Sequence, residues 1–199
     1  MNNDIQISKD AKIFDGVVFV GKCSVGAGTV IYSNSVIDNC VIGENCVIKS
    51  SFLEQSVIHN NVEIGPYAHI RPNSKIDDNC KIGNFVEIKN SHLGENTKAS
   101  HLAYVGDAEI GKNCNIGCGA IFVNFNGREK HKTIVGDDCF IGSNCNIIAP
   151  VNIADKTYIC AGTTLTQDTE KFDFVVGRVR ETVKHNKAQK YLKTGNSDL

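Results

Sequence analysis

The chain has almost no charge imbalance: Lys and Arg total 21 against 22 Asp and Glu, for a formal charge of −1 and a pI near 6.6 over 199 residues. No basic excess therefore points to nucleic acid or a membrane surface. No apolar run approaches the roughly 18 residues a membrane-spanning helix needs, and the start, MNNDIQISKDAK, has no apolar signal core. Nine cysteines occur without one CxxC, which argues against a zinc ribbon and a redox dithiol. The six histidines (His59, His69, His92, His101, His131, His185) include no pair four or five apart, so no metal site is indicated.

What is present is a period of six. Isoleucine recurs at Ile64, Ile70, Ile76, Ile82 and Ile88, and two residues before each stands a small or β-branched residue: Val62, Ala68, Ser74, Cys80 and Val86. Six fits neither an amphipathic helix nor an open sheet; it fits hexapeptide β-helix repeats, three units per triangular coil. Residues 18 apart should then stack at about 4.8 Å. The frame starts at Ile7, Ile13, Phe19, Val25, Ile31 and Ile37, loses one residue before Ile42 and Ile48, and passes Leu53 and Ile58. After Ile88 it runs through Leu93, Ala99, Val105, Ile110, Ile116 and Phe122, breaks over 123–134 (VNFNGREKHKTI), and resumes at Val135, Ile141, Ile147, Ile153, Ile159 and Leu165. The break reads as a basic loop thrown out of the coil. The GxG in GAGTV at 26–30 lies inside the frame and marks a coil corner, not a nucleotide loop.

Seven of the cysteines (Cys23, Cys40, Cys46, Cys80, Cys114, Cys139, Cys145) occupy the small inward position, where a thiol serves as a small hydrophobe. Free thiols in such number fit a reducing cytoplasm. Hexads stop near Thr166, and 178–193 is polar and rich in helix formers, which predicts a short helix beside the last coil; GNSDL reads as a frayed end. The expected organisation is an all-β parallel β-helix over 1–177, with loop 123–134 protruding, and a helical tail over 178–199. A prism whose coils touch only their neighbours has flat faces, and a trimer would bury one.

Counting by coils puts Ile70, Ile88, Val105 and Phe122 on one face, with Arg71 and Lys89 just outside it on one side and His69, Glu87 and Tyr104 on the other. Arg71 and Lys89 are 18 apart, and stacked like charges repel, so they read either as a phosphate cradle or as a solvated face. His101 falls at the corner, either as a general base for an attacking amine or as a histidine bonded to backbone. Glu87 would orient the histidine or balance the lysine. Lys130 and Lys132 on the loop are ligand contacts or a solubilising rim.

From Ile64 to about Arg180 the chain resembles the C-terminal acetyltransferase domain of the bacterial bifunctional N-acetylglucosamine-1-phosphate uridyltransferase/glucosamine-1-phosphate acetyltransferase. The match is carried by IGPYAHIRP, IGNFVEIKNSHLGENTKASHLAYVGDAEIG, NIGCGAIFVNFNG, KTIVGDDCFIGS, AGTT and GRVR. The resemblance implies a left-handed β-helix, a homotrimer with active sites between prisms, and acetyl transfer from acetyl-CoA to glucosamine-1-phosphate without a metal. It implies His101 as the base, Arg71, Lys89, Tyr104, Asn115 and Lys130 around the sugar phosphate, and Cys118, Asn124, Phe125, Ser143, Ala161 and Arg178 around acetyl-CoA. Phe125 stands where the family usually has tyrosine, Cys118 where alanine is common and Ser100 where glycine is common. Nothing resembles the family's uridyltransferase motif, so the expectation is either a fragment or a stand-alone acetyltransferase served by a separate uridyltransferase. Two rival readings stay open: transfer to another amino sugar or sugar nucleotide, and a non-catalytic β-helix.

Overall fold

The computed structural model describes residues 4–192. Twenty-eight short strands, each of two to four residues, assemble into three parallel sheets of nine, ten and nine strands. Sheet A runs from Asp4–Ile7 to Val151–Ile153, sheet B from Lys12–Ile13 to Phe174–Val175, and sheet C from Val18–Val20 to Thr164–Leu165. As far as Thr164–Leu165, successive strands visit A, B and C in turn, so the chain winds as a three-sided column. The inferred period is the observed register: Ile64 lies over Ile82 and Ile70 over Ile88. Across the thrown-out loop the step is longer, Ile116 pairing with Ile141, yet the register is restored.

The hexad works because each strand points one large residue inward and each corner contributes one small residue. Ile31, Ile48, Ile64, Ile70, Ile82, Ile88, Val105, Phe122, Ile141 and Ile159 are all fully buried. A fully buried aliphatic side chain contributes about 1.5–3 kcal/mol, so this one column supplies most of the driving force. Many of the small positions hold hydroxyls or thiols that bond to corner carbonyls, and others hold Ala or Val. Thr97 Oγ1 donates to Gly111 O at 2.8 Å, and the Cys80 thiol donates to Gly94 O at 3.1 Å. Burial pushes the Cys40 and Cys80 thiols up to about 12, so these sulfurs stay protonated.

Turning the corners needs left-handed backbone, and asparagine supplies much of it: Asn34, Asn45, Asn61, Asn73, Asn79, Asn96, Asn113 and Asn144 all have positive φ. Asparagine tolerates this region better than other side chains. At the corner between sheets B and C the same position holds Tyr67, Phe85 and Leu102, with φ of 59°, 58° and 39°. Bulky residues there are strained, at about 1–3 kcal/mol each.

The C-terminal expectation needs correction. Although the hexads stop near Thr166, Phe174–Val175, within the expected 1–177 span, pairs with Tyr158–Ile159 as a further strand of sheet B. An aromatic ladder, Phe140 on Tyr158 at 4.6 Å and Tyr158 on Phe174 at 5.2 Å, covers that addition. The predicted helix over 178–193 is reduced to one 3-10 turn at Lys187–Lys190 with no buried residue. A polar segment with no apolar stripe has nothing to dock, and so short a helix does not hold alone. The expected frayed end, 195–199, lies outside the described residues.

Candidate active site

Sheet C carries the charge. His69, Glu87 and Tyr104 stand side by side on three adjacent strands, as the register requires. The strand ends that present Arg71 and Lys89 are tied down from inside. Ser56 Oγ and Ser74 Oγ donate to Arg71 O at 3.0 and 2.7 Å, and Ser91 Oγ donates to Lys89 O at 2.8 Å. The two cations do not face each other unbalanced, contrary to the like-charge stack inferred from sequence. Arg71 Nη1 donates to Glu87 Oε1 at 2.7 Å, and Lys89 Nζ donates to both oxygens of Asp107 at 3.1 Å. Glu87 therefore balances the arginine and not the lysine. His69 is held by Glu54, its Nε2 at 2.8 Å from Oε2.

Asp107, which the sequence reading missed, is the hub of this face. Besides Lys89 it accepts from Asn90 Nδ2 at 2.6 Å and from Asn124 Nδ2 on the thrown-out loop. Burial pushes its carboxyl up, but the bonds from Asn90, Asn124 and Lys89 outweigh burial and hold it below the ordinary range. The stacking partner of Lys89 is Gly106, 17 residues on, and Asp107 is the next residue at the corner. Tyr104 leans over Gly106, where a Cβ would meet its hydroxyl, and Asn124 Nδ2 sits 3.5 Å from that hydroxyl.

The loop brings a third cation. Arg71, Lys89 and Lys130 line one cleft of about 360 Å³, together with Asn73, Asn90 and Asp107. Lys89 beside it, through hydrogen bonding and charge, holds Lys130 below its ordinary range. Three cations face two carboxylates, so positive charge is left over for an anion. Lys132 points elsewhere, to Glu109 on sheet A at 2.7 Å. A larger cleft on sheet A, about 450 Å³, is lined by Asp77, His92, Glu95 and Glu109; His92 pairs with Asp77 and Glu109, and Lys132 with Glu109.

At the corner between sheets B and C the register makes a second column. Asn84 and His101 are partners on adjacent strands, and two residues beyond the inward Ile116, Ile141 and Ile159 come Cys118, Ser143 and Ala161. Backbone bonds link these coils: Asn144 N donates to Cys118 O and Gly162 N to Ser143 O, both at 2.8 Å. Arg178 closes the column by donating to Ala161 O at 3.2 Å. Its members are small and carry no formal charge until Arg178. His101 is exposed, and its Nδ1 lies 2.8 Å from Asn84 Oδ1. The corner histidine thus bonds a side chain and not the backbone.

Not every expected residue converges. Arg71, Lys89, Tyr104, Asn124 and Lys130 share one neighbourhood, and His101, Cys118, Ser143, Ala161 and Arg178 share another. Asn115 lies on the flat of sheet B, between Lys98 and Phe140, away from the cation cleft. Phe125 is exposed on the loop, where its strand-like pairing with Lys130 closes the hairpin.

A parallel three-sided column built from a six-residue repeat defines the class: this is a hexapeptide-repeat, left-handed β-helix protein. Models described as "GlmU-like, C-terminal hexapeptide", "GMPPB C-terminal domain" and "Hexapeptide repeat of succinyl-transferase" match residues 11–88, 52–138 and 132–167. The Bifunctional protein GlmU of Caldicellulosiruptor saccharolyticus is 52% identical over 181 residues, 91% of this chain and 39% of that protein. That of a Geobacillus species is 47% identical over 183 residues, 92% of this chain and 40% of the relative. The chain aligns with the C-terminal hexapeptide-repeat part of GlmU proteins and spans about two fifths of the length of these relatives. Among solved structures, an Arabidopsis UDP-N-acetylglucosamine acyltransferase shares the fold, with a TM-score of 0.53 at 20% identity over 84% of this chain and 68% of that one.

Proposed function

We propose that the chain is an acetyl-CoA-dependent N-acetyltransferase that converts glucosamine-1-phosphate to N-acetylglucosamine-1-phosphate, working as a cytoplasmic homotrimer. The observation that carries the reading is that sheet C has a cation-rich cleft toward one edge and a column of small residues at the other, within a chain aligned to the C-terminal part of GlmU proteins. Arg71, Lys89 and Lys130 would hold the sugar phosphate, and the surplus positive charge supports that role. The column Cys118–Ser143–Ala161 leaves room along the corner for the pantetheine arm of acetyl-CoA. Arg178 at its foot suits a phosphate of the donor. Asn115, on the flat of sheet B, would reach sugar bound between neighbouring prisms. Tyr67, Phe85 and Leu102, exposed beside that corner, are apolar groups a neighbouring prism would cover.

In the reaction His101 accepts the proton of the glucosamine amine as its nitrogen attacks the thioester carbonyl. A C–N bond forms, the C–S bond breaks, and the proton passes from His101 to the leaving thiolate. Orientation between rigid strands supplies much of the rate, and the base adds about 10²–10⁴-fold. The reading is tested by thiol release from acetyl-CoA across amino sugars with and without a 1-phosphate. Glucosamine-1-phosphate should be turned over best, and His101→Ala should lose about 10²–10⁴-fold in kcat while the oligomer persists. Equal turnover of unphosphorylated glucosamine would sink the phosphate assignment, and wild-type turnover by the variant would sink the base.

A further inference from the structure

We propose that Asn84 is the positioning residue for His101, fixing its imidazole in the tautomer that carries hydrogen on Nδ1 and leaves the Nε2 lone pair free. The inference rests on the reading of His101 as a base, but its structural half is measurable without turnover.

The contact is a product of stacking. Asn84 ends the strand Lys81–Asn84 and His101 ends Lys98–His101, and the two are Cα partners across adjacent coils. They are 17 apart because this coil is one residue short of 18, so simple counting misses the pair. Close approach depends on Gly83, where a Cβ would collide with the Ser100 carbonyl. With no side chain there, the two coils settle together at the corner and the Asn84 amide comes within 2.8 Å of His101 Nδ1. Among the described residues, Nε2 of His101 has no hydrogen-bond partner.

Which ring nitrogen carries the hydrogen is set by the bond the other nitrogen makes. With Oδ1 facing Nδ1, the ring must donate from Nδ1, and only Nε2 can then accept a proton. The reverse amide orientation would place an Nδ2–H against Nδ1 and the hydrogen on Nε2, a ring unable to act as a base toward solvent. An amide also orients without charge, whereas a carboxylate would stabilise the imidazolium and hold the proton after transfer. The titratable groups on strands around the ring are Lys81 and Lys98 on sheet B, Glu87 and Tyr104 on sheet C, and Cys118 in the next coil. None of them bonds the ring, so the amide is its one orienting contact among the described residues.

The test uses the full chain labelled with 15N-histidine, with the His101 signals assigned by comparison with His101→Gln. Long-range proton–nitrogen spectra at high pH should show the Nδ1–H tautomer in the wild type and loss of that preference in Asn84→Ala. In thiol-release assays Asn84→Ala should lower kcat about tenfold, with both KM values unchanged. Asn84→Asp should retain orientation and move the acidic limb of kcat/KM upward by about one pH unit. An Nε2–H tautomer in the wild type overturns the proposal. So does an Asn84→Ala enzyme with unchanged kcat and pH profile when His101→Ala is inactive. If His101→Ala keeps its turnover, the base assignment fails by itself, and the tautomer spectra still decide whether Asn84 sets the ring.

Discussion

Around Arg71, sheet C is crowded with charge that is paired across coils, while the corner column below His101 carries none until Arg178. One fold builds both, so the difference comes from which repeat position is used. Outward strand positions face their counterparts one coil away, so a cation there needs a carboxylate or a ligand. Glu87 and Asp107 supply part of that balance. Beyond His101 the corner position two residues after each inward residue is small, which leaves a channel lined by Cys118, Ser143 and Ala161. The charged face selects by electrostatics and the corner selects by room.

The comparison is broken most severely by removing what joins its halves. The loop step from Ile116 to Ile141 exceeds a regular coil by 25 minus 18, or seven residues, so deleting Phe125–His131 should restore an ordinary turn. The column should keep its β circular dichroism and its thermal midpoint within a few degrees, while turnover falls at least about 10²-fold from lost positioning. Retained turnover would show that the loop takes no part. Next in size, Lys89→Ala should raise KM for the sugar phosphate about 10- to 100-fold, the worth of a hydrogen bond to a charged group. KM for acetyl-CoA should hardly move, and a comparable change in both would erase the distinction between the halves. Ala161→Leu should do the converse, raising KM for acetyl-CoA by about tenfold through a filled channel while leaving that for the sugar phosphate alone.

The smallest effect concerns acid. The Asp107 carboxyl is held below its unfolded value of about 3.9, so its stabilising contribution is complete above that pH and is lost as pH falls through the folded value. Urea midpoints of wild type and Asp107→Asn should therefore differ most near neutral pH and converge as acid protonates the folded-state carboxylate. Parallel curves would mean that the carboxylate's charge is immaterial to the folded state.

The column itself was legible because burial imposes a period, and nearly every inward Ile, Val and Leu of the hexad is buried. Where the period was irregular, reading failed. Phe174–Val175 joins sheet B after a stretch with no inward residues to announce it. The tail over 178–192 has helix-forming composition but no apolar stripe, so propensity had no packing to act through. At the site, residue types on a coil count located the cations and the histidine, but their partners depended on side-chain reach. Arg71 meets Glu87, 16 residues away, by a diagonal the count does not predict. Asp107, one residue past the stacking partner of Lys89, and Asn84, under His101, could both be placed only by noticing that this coil is short by one.

The restored register beyond the thrown-out loop has a consequence for how such a protein can change. Because Ile141 settles over Ile116 whatever leaves the corner between them, the scaffold does not record the length or content of the excursion. Descendants of one such column could exchange these excursions as interchangeable parts, acquiring new acceptors while their cores stayed the same.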